Sequence, residues 1–194
     1  MAMDGLGGNM LIGLVGITGV GKSYLRQQAM QSIGELRYLF AATTRQPFEG
    51  EVDGVDKYFL SNQEFIAKEM SGEMFLVQEI YGFRYGFMKK DLNPNICYIT
   101  ELLHTDIHQM EQQIEVKSIY IYTNDTSRLF TNLKAIHKDD NILRGRIERD
   151  KLRKKELERQ HQKGLFTCSF ENKYDGKSVN DFVSLVQSIR ENYS

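Results

Sequence analysis

The feature that most constrains this chain is a glycine-rich segment at residues 16–23, Gly-Ile-Thr-Gly-Val-Gly-Lys-Ser. It fits the pattern G-x-x-x-x-G-K-[ST], whose glycines let the backbone turn tightly and approach an anion closely. The apolar run at 10–15 predicts a buried strand before it, and residues 23–33 predict an amphipathic helix after it. In that context the segment predicts a phosphate-binding loop at a helix N-terminus, the alternative being a glycine-rich turn that matches by chance.

The loop also predicts which phosphate groups and which metal are bound. The Lys22 ammonium is expected to reach the β and γ phosphates of a nucleotide, and the Ser23 hydroxyl is expected to hold Mg²⁺. A nucleoside triphosphate with Mg²⁺ is therefore the predicted ligand of the loop. The residues predicted to bind the nucleotide are Gly16, Thr18, Gly19, Val20, Gly21, Lys22 and Ser23.

Composition limits the partners that this chain can have. Its 194 residues, 41% of them hydrophobic, are enough for one well-packed α/β core. A formal charge of -1 gives no global field that would attract nucleic acid or a membrane surface. The basic residues at 144–159 alternate with glutamates, which favours a solvated helix over a nucleic-acid-binding one.

Compartment can also be predicted from the sequence. No stretch approaches the length of a membrane span, and residues 1–9 resemble a flexible leader without the apolar core of a secretion signal. Cys97 and Cys168 lie far apart without metal-like spacing. We interpret them as reduced thiols of a cytoplasmic protein, with a disulfide left open as the alternative.

The order of the predicted elements defines a fold class. Strands at 10–15, 36–42, 96–100, 117–123 and 165–170 alternate with helices, which is typical of a parallel, doubly wound sheet. Between them, Ser61 and Glu64 form a capping box before a helix expected to bury Phe65, Ile66 and Met70. Two paired strands follow, at 74–80 and 84–87. The block at about 41–92 is therefore predicted to be a small inserted subdomain.

A family resemblance appears at residues 43–56, Thr-Thr-Arg-Gln-Pro-Phe-Glu-Gly-Glu-Val-Asp-Gly-Val-Asp. This segment resembles the guanylate kinase signature T-T-R-x-P-R-x-G-E-x-x-G-x-x-Y. The similarity continues in residues 123–134, which resemble the family's P-P-S-x-x-x-L-x-x-R-L, and it covers nearly the whole chain. Further matches are Phe59, Ser61, Phe65, Gly82, Tyr85 and Gly86.

The resemblance implies a P-loop kinase fold in a single domain at 10–194, with an acceptor-binding subdomain and a helical lid. It also implies which parts of the chain form these units. The core would comprise 10–40, 93–137 and 164–194, the acceptor subdomain about 41–92, and the lid about 138–163.

Site residues follow from the resemblance on the acceptor side. Arg45 matches the arginine that clamps the acceptor phosphate, and Tyr85 matches a tyrosine that hydrogen-bonds it. Phe48 replaces the family's second arginine. Lys57 replaces its other phosphate-binding tyrosine, unless Tyr58 substitutes for it by a shift of one residue.

Further site residues are implied near the transferred phosphate. Glu101 corresponds to an acidic residue near the metal or the acceptor. In the lid, Arg146 with Arg144 resembles the arginines that close over the transferring phosphate. The partner arginine upstream is missing, and only Lys134, His137 and Lys138 are available there.

The base-reading positions depart from the family. Its serine corresponds to Ala41, its guanine-reading glutamate to Leu76 or to Val77 under a small shift, and its hydroxyl residue to Phe87. Loss of all three polar contacts predicts weak guanine selectivity, since a site built to hydrogen-bond a base rejects analogues that lack those groups. Ordinary drift in a partly buried loop is the alternative.

Two functions are consistent with these observations. The favoured one is a nucleoside monophosphate kinase that transfers the ATP γ-phosphate to a small phosphorylated acceptor, GMP or another, using Lys22, Arg45, Arg144 and Arg146. The alternative is a guanylate-kinase-like interaction module that binds a phosphopeptide or partner protein. We expect a monomer or homodimer that binds neither nucleic acid nor membrane.

Overall fold

A computed structural model of the protein describes residues 9–80, 82–136 and 140–192. The predicted leader therefore lies outside it apart from residue 9, as do His137 and Lys138. The strands are β1 Met10–Val15, β2 Leu36–Tyr38, β3 Ala41–Thr43, β4 Tyr58–Phe59, β5 Met74–Ile80, β6 Phe83–Met88, β7 Cys97–Glu101, β8 Glu115–Tyr122 and β9 Cys168–Glu171. The helices are α1 Lys22–Ser32, α2 Asn62–Met70, α3 Ile107–Glu111, α4 Thr126–Ile136, α5 Asp140–Gln162 and α6 Gly176–Glu191, with 3₁₀ turns at Lys89–Asp91 and His104–Asp106.

The main sheet has the strand order β2-β7-β1-β8-β9, and all of its strand pairs are parallel. Every residue of β1 is buried, because this central strand is covered on both faces. The predicted parallel, doubly wound sheet is therefore confirmed. Parallel strands place their carboxyl ends at one edge, which is where α/β folds bind ligands.

A second, four-stranded sheet lies between residues 41 and 88, in the order β4-β3-β6-β5. The strand predicted at 36–42 is in fact two strands, one in each sheet. The main-sheet ladder ends at Leu39, whose N–H donates to the Ile99 carbonyl at 3.2 Å and whose carbonyl accepts from the Thr100 hydroxyl at 2.9 Å. The chain then crosses into the second sheet at Phe40.

Helix α2 shows how local signals and burial can disagree. Its capping box between Ser61 and Glu64 is confirmed, and Phe65 is fully buried. The expected burial of the other two apolar residues is wrong, since Ile66 is 38% and Met70 83% exposed. The nine-residue helix therefore buries a single apolar side chain, Phe65, against the small sheet.

The ends of other elements differ modestly from expectation. The helix predicted at 105–113 is reduced to a 3₁₀ turn and the short α3, while β9 begins three residues later than predicted. Cys97 and Cys168 are free and half-buried. Among the described residues, no helix combines the length and apolarity that crossing a bilayer requires.

Candidate active site

The glycine-rich loop joins the carboxyl end of β1 to the first turn of α1. Gly21 precedes the helix with φ 91° and ψ 16°, a left-handed conformation that glycine adopts without steric cost. A Cβ on Gly21 would also stand 2.5 Å from Asn172 Nδ2, and one on Gly16 would stand 2.4 Å from the Ile121 carbonyl oxygen. Gly21 therefore requires glycine for backbone shape and for space, and Gly16 requires it for space.

Side chains from distant elements fix the orientation of the loop carbonyls. Asn132 Nδ2 and the Tyr174 hydroxyl each donate to the Gly19 carbonyl at 2.9 Å. Asn172, which is 2% exposed, donates from Nδ2 to the Val20 carbonyl at 2.9 Å. These hydrogen bonds fix the Gly19 and Val20 carbonyls in place. No sequence motif pointed to any of the three donor residues.

Lys22 lies between two cavities at the carboxyl edge of the main sheet. Its Nζ donates to the carbonyls of Gly16 at 3.0 Å and Ile17 at 2.9 Å. Burial lowers the pKa of Lys22 to about 8, although the nearby Glu101 carboxylate opposes that shift. The ammonium thus stands in a partly desolvated position where a phosphate would be a strong partner.

The first cavity, of about 770 Å³, lies beside the loop on the side of α4 and α6. Lys22, Ser23 and Glu101 line it, so the Ser23 hydroxyl opens into the predicted nucleotide cavity. Val20 does not line it, because its side chain is 1% exposed and packed in the core. Further lining residues are Thr18, Gly19, Gly21, Arg128, Asn132, Asn172, Tyr174 and Gly176.

The second cavity, of about 360 Å³, lies between the loop, the second sheet and α5. Thr18, Lys22 and Glu101 line both cavities, so the two meet at the phosphate loop. Five described cations line it, and apolar side chains form much of the remaining wall. The cations are Lys22, Arg45, Lys57, Arg146 and Arg153.

Arg45 is 8% exposed and held in one orientation inside the second cavity. Its two terminal nitrogens each donate to one carboxylate oxygen of Glu51 at 2.6 Å. The Arg45 guanidinium carbon lies 4.0 Å from the centre of the Phe48 ring. Phe48 stands at the position of the family's second arginine, and it therefore packs against Arg45, which stands at the position of the first. Tyr85 also lines this cavity beside Arg45.

Lys57, rather than Tyr58, belongs to the second cavity. Lys57 lines it, and burial lowers the pKa of this lysine. The Tyr58 hydroxyl instead donates to Asp91 Oδ1 at 3.4 Å, so the expectation of Tyr58 as a substitute is wrong. Neighbouring strand residues point to opposite faces, and a shift of one residue therefore cannot bring Tyr58 into the site.

Helix α5 presents Arg146 and Arg153 to the second cavity. Arg146 also hydrogen-bonds Thr18 of the phosphate loop and lies 3.4 Å from the buried Asp150. Arg144 is exposed and lines neither cavity, which corrects its predicted role. Two residues along a helix turn the side chain by about 200°, whereas Arg146 and Arg153 lie about two turns apart on one face.

The wall of the second cavity is more polar than predicted at the base-reading positions. Ala41 and Phe87 line it as expected, but Leu76 is 4% exposed in the apolar core and Val77 does not line it either. Gln78 occupies the cavity instead and donates from Nε2 to Asp106 Oδ2 at 2.8 Å.

A break in strand register explains why Gln78 replaces Leu76. Phe75 pairs with Phe87, but the next pair is Gln78 with Tyr85, so Leu76 and Val77 lie opposite Gly86 alone and the strand has one extra residue. Leu76 has φ 50°, which marks the bulge. The chain therefore returns to the ladder with Gln78 facing the cavity.

Comparison with known proteins identifies the family. The sequence model described as guanylate kinase matches residues 8–192. The chain belongs to the guanylate kinase family. A guanylate kinase of Cereibacter sphaeroides is 33% identical over 139 residues, covering 72% of this chain and 64% of that protein. One of Bifidobacterium longum is 30% identical over 120 residues, covering 58% of this chain.

The matched region spans less than two thirds of those two guanylate kinases, 64% and 61% of their lengths. Among solved structures, guanylate kinase from Anaplasma phagocytophilum superimposes with a TM-score of 0.68 at 17% identity. That match covers 97% of this chain and 87% of the other. It supports the guanylate kinase fold seen in the two sheets.

Proposed function

We propose that this protein transfers the γ-phosphate of ATP to a nucleoside monophosphate, with GMP as the acceptor. The observation that carries the proposal is the meeting of two cavities at Lys22, one beside the phosphate loop and one lined by Arg45 and Tyr85. A donor and an acceptor bound in these cavities would bring their phosphates together at the loop. Phosphoryl transfer needs little more from a protein than this positioning and positive charge.

The second cavity supplies that charge around the reacting groups. Arg45 and Tyr85 would hold the acceptor phosphate, with Lys57 in place of the family's phenol. Lys22 and Arg146 would stabilise the charge that develops on the transferred phosphoryl group. The acceptor phosphate is itself the nucleophile, so the reaction requires no general base.

The oxygen donors beside the loop suit Mg²⁺. The Ser23 hydroxyl and the Glu101 carboxylate both face the first cavity, and hard oxygen ligands are what this ion prefers. Ser23 would hold the ion, whereas Glu101 is already paired with Arg26 and would contribute only a nearby negative charge. When bound, Mg²⁺ would neutralise charge on the phosphates of ATP.

The Gln78–Asp106 pair supports guanine as the base, in contrast to the apolar pocket expected from the sequence. A carboxylate only accepts hydrogen bonds, so the Gln78 amide nitrogen must face Asp106 and its carbonyl oxygen remains available. Guanine offers N–H donors at N1 and N2, whereas adenine N1 is an acceptor. A cavity end with amide and carboxylate oxygens therefore favours GMP over AMP.

A panel assay tests the proposal directly. GMP, AMP, CMP and UMP are each offered with ATP and Mg²⁺, and ADP release gives kcat/KM for each. We expect GMP to be the best acceptor. Absence of turnover with all four, together with absence of magnesium-dependent ATP binding, would favour the interaction-module alternative.

The base-reading role of Gln78 predicts a selective loss. Replacing Gln78 by leucine leaves donor groups of a bound guanine without a partner, at a cost of about 1–3 kcal/mol. We expect kcat/KM for GMP to fall by roughly 10- to 100-fold, with a much smaller change for AMP. The exposed Gln109→Leu variant is the matched control, and an equal loss for both nucleotides would contradict the assignment.

Lys22 predicts a pH dependence for ATP use. Its pKa is lowered by burial to about 8, so the charged form dominates below that pH and is lost above it. Since kcat/KM reports ionisations of the free protein, we expect kcat/KM for ATP to fall about tenfold between pH 7 and 9. Thermal unfolding measured over the same range separates this effect from loss of fold. A constant kcat/KM up to pH 9 would show that Lys22 keeps its charge.

A further inference from the structure

Glu101 lines both cavities, and it also accepts a hydrogen bond from a residue that lines neither. At the end of β7, its Oε1 accepts from Arg26 Nε at 3.2 Å. Burial raises the pKa of Glu101, but Arg26, Lys57 and Lys22 outweigh it, and the net pKa lies below the ordinary value. The group is therefore a carboxylate surrounded by cations, of which two line the cavities.

Arg26 is the cation that lines neither cavity. It lies four residues after Lys22 on α1 and is 7% exposed. Its guanidinium carbon stands 3.7 Å from the centre of the Tyr38 ring, and Nη1 lies 3.8 Å from Met30 Sδ. An arginine packed in this way cannot reach a substrate, so its contact with Glu101 must act through that carboxylate.

Removing the Arg26 charge would change how Glu101 is neutralised. A largely buried carboxylate that loses its hydrogen-bonded cation must find another one or become protonated. The cations available are Lys22 and Lys57, whose flexible ammonium groups already lie in its field. Either lysine, once paired with Glu101, would be held away from substrate phosphates.

We propose that Arg26 is a positioning residue. It pairs with Glu101 from outside both cavities, and Lys22 and Lys57 therefore stay available to substrate phosphates. This inference rests on the proposed kinase function. Helix α1 thus carries the phosphate-binding Lys22 and, one turn later on the same face, Arg26. By pairing with Glu101, Arg26 keeps that carboxylate from pairing with Lys22.

The test is a double-mutant cycle between Arg26 and Glu101. In Arg26→Met we expect kcat to fall about tenfold, KM for GMP to rise about threefold, and MgATP affinity by calorimetry to fall about tenfold. In a Glu101→Gln background, where no carboxylate competes for the lysines, the same Arg26→Met change is expected to have little effect. Arg37→Met, an exposed arginine on β2, is the matched control.

Several results would overturn the inference. The first is an Arg26→Met variant with unchanged kcat and MgATP affinity. The second is an equal loss of kcat and affinity in the wild-type and Glu101→Gln backgrounds, because a purely structural role of Arg26 predicts additive effects. If Arg26→Met does not fold, Arg26→Lys takes its place in the same cycle, with a smaller loss that must again vanish in Glu101→Gln. A wild-type protein inactive on the whole nucleotide panel refutes the kinase function instead, while the calorimetric cycle still decides the role of Arg26.

Discussion

Replacing Lys22 by alanine is expected to lower kcat for GMP phosphorylation by roughly 10²–10³-fold, because the ammonium stabilises charge that develops on the transferred phosphate. The side chain bonds only loop carbonyls in the structure, so its loss should leave the fold intact. Steady-state kinetics and a thermal unfolding curve measure the two effects separately.

The control for this prediction is Lys89→Ala, which removes an exposed lysine from the 3₁₀ turn that follows β6. That variant should keep wild-type kinetics. If Lys22→Ala retained near wild-type turnover with an unchanged melting temperature, the loop would have to be regarded as non-catalytic.

Replacing Arg45 by methionine should lower kcat/KM for GMP by about 100-fold through a higher KM for the acceptor. Charge-assisted hydrogen bonds to phosphate are among the strongest that a side chain makes, and Arg45 is already held in place by Glu51 and Phe48. The KM for ATP should change little, since Arg45 lines only the second cavity.

Arg84→Met provides the comparison within the same small sheet. Arg84 pairs with Glu69 on α2 at 2.7 Å and lines neither cavity, so its loss should leave both KM values unchanged. An Arg45 variant that changed the KM for ATP as much as that for GMP would indicate a general disturbance of the loop instead of acceptor binding.

The phosphate loop could be predicted from sequence because its requirements are local. Gly21 needs glycine for its left-handed backbone, Gly16 needs it because the Ile121 carbonyl is close, and Lys22 and Ser23 follow at fixed spacing. Its anchors could not be predicted in the same way. Asn172 and Tyr174 lie some 150 residues away in sequence, and only the pairing of β8 with β9 brings them to the loop.

The second cavity was harder to predict because backbone irregularity decides which side chains face it. The match to the family's pattern puts Leu76 or Val77 at the base-reading position, whereas the bulge turns Gln78 into the cavity. In helix α5, charge alone does not distinguish Arg144 from Arg153. The helical period does, once Arg146 is known to face the loop.

The anchoring of Gly19 and Val20 has a consequence for how the protein is made. Residues 16–23 leave the ribosome early, but the side chains of Asn172 and Tyr174 that orient their carbonyls follow only after β9 has been synthesised. A nascent chain that ends before residue 168 carries the complete glycine-rich motif but lacks two of the three side chains that orient its carbonyls. We expect such an incomplete chain to bind ATP more weakly than the finished domain, so that nucleotide binding would come late in synthesis.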